Sequence, residues 1–129
     1  MQMGCFNAEA LIESRRLVAI KARLEEIDLG KYRISLPHAE AVNQSIEVNF
    51  HVFGQVANRD FETVTELLES RRPEIRDQLL VVTRNLSEEE LEDPGLTFLR
   101  QQIAKVVNDT LEGEPVQSVG FYKFRYSVL

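Results

Sequence analysis

The hydrophobic residues of this chain change period twice, and no other feature narrows the possible folds as far. Tyr32, Ile34 and Leu36 alternate with Lys31, Arg33 and Ser35 until Pro37 ends the run, and Ile46, Val48, Phe50 and Val52 alternate with Glu47, Asn49 and His51. A period of two belongs to a strand with one buried and one wet face, because successive side chains point to opposite sides. From Asp60 to Leu111 the apolar spacing becomes helical. It returns to two over Val116 to Val128, with Tyr122, Phe124, Tyr126 and Val128 on one side and Lys123, Arg125 and Ser127 on the other. The parity slips between Phe121 and Tyr122, so one aromatic is expected on the outward face. The sequence predicts an α+β fold, a small three-stranded antiparallel-type sheet packed against two to three helices.

Local signals punctuate that plan. An antiparallel hairpin is expected over 31–56, joined by the polar loop His38 to Ser45, with a bulge or bend at Phe53-Gly54. Pro73 divides Phe61, Val64, Leu67 and Leu68 from Ile75, Leu79, Leu80 and Val82; it either opens a second helix or kinks one long one. Ser87 to Glu90 reads as a capping box, and Asp93-Pro94 as a cap followed by proline at the first helical position. The last helix then carries Leu96, Leu99, Ile103, Val106, Val107 and Leu111 and stops at Gly113. Upstream, Leu17, Ile20, Leu24 and Ile27 form a helical stripe, so a helix is expected over Asn7 to Ile27, with Gly30 as its left-handed stop. The organisation expected is a helical segment over 1–27 and an α+β domain over 28–129.

Composition excludes several functions. The 129 residues carry a formal charge of -6, against a nucleic-acid partner, which needs a basic surface to meet phosphates. One cysteine, Cys5, forms neither an internal disulfide nor a cysteine-based zinc site. The longest apolar runs, Leu17–Ile20 and Leu79–Val82, are four residues each, whereas a membrane-spanning helix needs about 20. Met3-Gly4-Cys5 matches the end of a lipoprotein signal only behind an apolar stretch, and a chance Gly-Cys is the better reading. His38 and His51 are not spaced as a catalytic pair, and the acidic run Glu88 to Asp93 reads as helix capping rather than a calcium loop. Neither a phosphate-cradling loop nor a nucleophile elbow occurs, and no cofactor or metal is expected.

The charge is unevenly spread. Residues 1–59 are neutral overall, 60–112 carry -7 and 113–129 carry +1. Set against that acidity are basic positions on the outward side of the predicted strands, Lys31, Arg33, Lys123 and Arg125, and the pair Arg71 and Arg72 beside Pro73. These six are the candidate subunit or partner interface. For Arg71 and Arg72 a local reading competes, in which Glu69, Glu74 and Asp77 neutralise them along the helix.

From Leu24 onward the chain resembles the C-terminal domain of the FliL family, flagellar basal-body proteins associated with the motor's stator. The resemblance follows the two opening strands, Asp28 to Leu36 and Ile46 to Val56. It continues through Arg72-Pro73-Glu74-Ile75-Arg76-Asp77-Gln78-Leu79-Leu80, similar to the family's P-x-I-R-D-x-L-L, and the acidic connector Leu86 to Asp93. Leu99-Arg100 with Asn108 and Leu111 follows, and Val116 to Tyr126 is similar to a V-x-x-V-x-F ending. Family members carry one N-terminal transmembrane helix that this chain lacks, and the hairpin loop and the tail Tyr126 to Leu129 also depart from the family pattern. The resemblance implies a stomatin/prohibitin-like domain that builds membrane-linked rings. Self-association, stator proteins as partners and a place on the periplasmic side of the inner membrane follow from it, the membrane being reached through an anchor absent from this chain; cytoplasm is the alternative. The expected role is a non-enzymatic scaffold. A small oligomeric enzyme with an interface pocket, or an interaction module unrelated to flagella, are the competing classes.

Overall fold

The computed structural model describes residues 23–37 and 43–129. Strand β1 (Leu24–Pro37) and strand β2 (Ser45–Ala57) form the hairpin, and a single 3-10 turn (Asn58–Asp60) leads into helix α1 (Phe61–Arg84). Helices α2 (Glu88–Glu92) and α3 (Thr97–Leu111) follow, and strand β3 (Val116–Val128) closes the sheet in the order β1-β2-β3, antiparallel throughout. This is the expected α+β fold.

The core lies between the sheet and the helices. Central β2 turns Ile46, Val48, Phe50, Val52 and Val56 inward, each nearly or fully buried. Above them, α1 contributes Val64, Leu68, Ile75 and Leu79, and α3 contributes Leu99, Ile103, Val107 and Leu111, at the three- and four-residue steps of one helix face. The buried hydroxyls are satisfied along their own helices: Thr83 donates to the Leu79 carbonyl at 2.8 Å, and Thr110 to that of Val106 at 2.9 Å. Ser87 caps α2 reciprocally with Glu90, as the sequence predicts.

Several local expectations change. Leu24 to Ile27, assigned to a helix from sequence, begin β1 and pair with Gly54 to Ala57, because strand pairing offers their backbone a ladder that outweighs a modest helical stripe. Cys5, His38 and the rest of the expected helix, residues 7–22, lie outside the described residues. Gly30 has the positive φ foreseen for it (114°), but in a β-bulge at Asp28–Gly30 rather than at a helix end. No register shift falls between Phe53 and Gly54, although the β1 bulge lies opposite Phe53. Gly54 keeps the inward parity, and a Cβ there would stand 3.1 Å from Val116 Cγ1, so glycine serves close packing. The register shifts fall instead at His51/Val52 and Gln55/Val56.

Pro73 sits inside one continuous helix, and Pro94 precedes α3 rather than opening it. Asp93 still caps, accepting from the Gly95 N–H at 3.2 Å and the Thr97 N–H at 3.0 Å, while Leu96 takes a left-handed conformation (φ 49°). Gly113 ends α3 as expected. In β3 the parity slip is real. His51 pairs with Lys123 and Val52 with Phe121, so Tyr122 leaves the set predicted to face inward and points outward, and Phe121 replaces it beside Phe50.

Candidate functional site

Helices cover one face of the sheet, and the strands themselves build the other. On that open face two cross-strand rows run side by side: Lys31, His51, Lys123 and Arg33, Asn49, Arg125. Strands about 4.8 Å apart and same-face residues roughly 6.8 Å apart place the Cα atoms of these four basic residues at the corners of a rectangle of about 10 by 7 Å. A hollow of about 430 Å³ opens over these residues. Glu47 borders the second row. Arg33 Nη2 lies 3.1 Å from its Oε1, to which Asn49 Nδ2 also donates at 3.1 Å. The Asn49 amide and then the Arg33 guanidinium hold the Glu47 carboxyl below the usual carboxylate range.

A second cluster stitches the three strands together. His51 Nε2 is 2.9 Å from Asp28 Oδ1, and the Gly30 N–H of the bulge donates to the same oxygen at 2.8 Å. Partial burial pushes the Asp28 carboxyl up. The His51 hydrogen bond, the Gly30 N–H and the charges of His51 and Arg72 outweigh it and leave the group below its ordinary value. The His51 ring packs on Tyr122 with centroids 4.7 Å apart, and Tyr122 packs on Phe53 at the same distance. Tyr122 donates its hydroxyl to Glu26 Oε2 at 2.9 Å; desolvation, and then this acceptor, raise the phenol above its usual value.

The six candidate positions do not all converge. Lys31, Arg33, Lys123 and Arg125 share the open face, whereas Arg71 and Arg72 lie on α1. Arg71 is 3.7 Å from Glu74 and Arg72 is 3.0 Å from Glu69, the local neutralisation weighed from sequence. Arg72 Nη2 also donates to the Asp28 carbonyl at 3.4 Å, and Arg76 stacks over the Tyr32 ring at 5.5 Å, so this helix face borders the β1 edge. Sequence reasoning missed the Asp28–His51 pair. Its one visible signal was Gly30 inside a strand-forming stretch, which marks a bulge and hence a displaced diagonal neighbour.

Chemically, the open face sets four cations against three carboxylates, with Glu47 already on Arg33 and Asp28 on His51, and leaves Lys31, Lys123 and Arg125 as the cations suited to meeting a carboxylate of a partner. Tyr122, whose ring packs on His51, commits its hydroxyl to Glu26. Among the described residues no group of three His, Cys, Asp or Glu side chains is placed to hold a metal, and no helix is long and apolar enough to cross a membrane.

No curated protein matches the chain. The profile of the family described as "Flagellar basal body-associated protein FliL" matches residues 27–126, more than three quarters of the sequence, from near the start of β1 to the inward Tyr126 of β3. That family is flagellar, membrane-proximal and non-enzymatic. The order of strands and helices expected from the resemblance is the order observed, and the chain belongs to the FliL family of flagellar basal body-associated proteins.

Proposed function

We propose that the protein is a non-enzymatic scaffold that self-associates beside a membrane-embedded stator complex and modulates it, on the periplasmic side of the inner membrane. The observation that carries this reading is the segregation of charge. Lys31, Arg33, Lys123 and Arg125 line one face of the sheet together with Glu26, Asp28 and Glu47, a net of +1, and the segment covering the other face, residues 60–112, has a net charge of -7. Two copies stacked so that the acidic helices of one meet Lys31, Lys123 and Arg125 on the sheet face of the next bring opposite charges together, and such contacts weaken with salt. Arg71 and Arg72, already paired along α1, play a lesser part.

Sedimentation of the protein on an anionic-lipid surface and in solution, at about 0.05 and 0.5 M salt, tests this. Association that falls with salt and is lost in Arg125→Glu supports the scaffold. A species that stays monomeric at high protein concentration on the membrane mimic, with Arg125→Glu indistinguishable from wild type, overturns it.

A further inference from the structure

The free edges of the two outer strands differ at the β1 bulge, while the Lys31–Pro37 half of β1, among the described residues, is as free of side-chain bonds to its backbone as the outer part of β3. At the β1 bulge the polar backbone groups already have partners: the Asp28 carbonyl accepts from Arg72, the Leu29 carbonyl from the Tyr32 hydroxyl at 2.7 Å, and the Gly30 N–H bonds the Asp28 carboxylate. Bulges and side-chain covers of this kind blunt an edge against further pairing. On β3, Asn108 takes both the N–H and the carbonyl of Val116, at 2.8 and 2.9 Å. From Gln117 to Ser127, among the described residues, no side chain bonds the backbone groups that face away from β2. Beside that open stretch lies a hollow of about 630 Å³, lined by Leu91, Pro94, Leu96, Phe124 and Tyr126 and flanked by Glu92, Asp93 and Arg125.

We propose that the β3 edge captures an extended segment of a partner protein as a fourth strand, and that the segment alternates acidic and apolar residues. The reading goes beyond the scaffold role and does not depend on it. Backbone pairing along Gln117–Ser127 supplies the docking, and pleat parity fixes the side chains. Residues of the added strand on the helix side enter the hollow over Phe124 and Tyr126, and so are apolar. Those on the open side stand directly across from Lys123 and Arg125, and so are acidic.

The same parity argues against a second copy as the occupant. A β3 from another molecule, or the Lys31–Pro37 half of its β1, sets Lys and Arg against Lys123 and Arg125, and like charges directly across a ladder are destabilising. The Leu24–Asp28 half carries Glu26 and Asp28, but Tyr122 and His51 already bond these carboxylates and the bulge ends the run.

The test uses the full chain and a capped peptide of roughly nine alternating valines and glutamates, a strand's length. Binding is followed by fluorescence anisotropy and by amide hydrogen exchange of the protein. Expected are slowed exchange over Gln117–Ser127, at least tenfold weaker binding when every peptide nitrogen is methylated, and a preference reversed towards a valine–lysine peptide in the Lys123→Glu/Arg125→Glu protein. These two positions are exposed, so the fold survives the change. Equal binding of the methylated peptide, or unaltered exchange in β3, overturns strand capture in favour of simple charge adsorption. Concentration-dependent protection of β3 without peptide overturns the choice of occupant and assigns the edge to a second copy.

Discussion

Replacing Asp28 probes the bulge and the three-strand cluster at once. Its carboxylate accepts two hydrogen bonds, from the Gly30 N–H at 2.8 Å and His51 Nε2 at 2.9 Å, with its side chain 57% exposed. A net hydrogen bond contributes about 0.5–1.5 kcal/mol, and exposure lets water replace much of each, so Asp28→Ala should cost about 1 kcal/mol in total. For a domain this size that lowers Tm by roughly 4 °C. Asp28→Asn keeps an acceptor for Gly30 and should cost about half as much. The pH dependence carries the sign. Because the folded carboxyl titrates below its unfolded value, its contribution is fully present above the unfolded pKa of about 3.9 and is lost as pH falls through the lower folded value. Thermal melts from about pH 7 down to pH 3 should therefore show wild type converging on Asp28→Asn. An Asp28→Ala melt within about 1 °C of wild type at pH 7, or a gap that widens in acid, refutes the assignment.

Two further perturbations follow from the helices. Pro73→Ala should raise stability by about 1–2 kcal/mol in urea titration: the interior helical position penalises proline by about 3 kcal/mol, and the freer unfolded chain of the alanine variant returns part of the gain. A neutral or destabilising result would mean that Pro73 makes packing contacts that matter more than the missing hydrogen bond. Ile103→Ala, fully buried where α3 meets the core, should cost about 2–5 kcal/mol by the same titration, and a loss under about 1 kcal/mol would deny Ile103 its central place.

The fold was legible where one period persisted over many residues. Ile46 to Val52 alternate, and Leu99, Ile103, Val107 and Leu111 recur, because each set faces a single core. The misreadings occur where an intrinsic preference competes with pairing. Leu24 and Ile27 fit a helix when counted along the chain, yet as part of β1 they lie opposite Ala57 and Gly54, a partnership with β2 that their own spacing does not encode. At the site, the four sheet cations were readable because strand parity puts Lys31, Arg33, Lys123 and Arg125 outward whatever the exact register. The Asp28–His51 and Glu26–Tyr122 bonds were not, since each depends on a register shift at a bulge, and one residue of slip reverses which side chains meet.

The placement of β3 also orders the assembly of the fold. Phe50 meets Tyr32 across a short hairpin, but meets Phe124 only after two long helices have intervened in the chain. Closing the longer loop costs more entropy, so topology alone predicts that the hairpin forms ahead of the docking of β3. Until β3 docks, β2, the most buried strand, stands with one flank unpaired, and the cation-bearing strand that later shields it is still free. The period before β3 arrives is thus when the young chain is most open to mispairing with its neighbours.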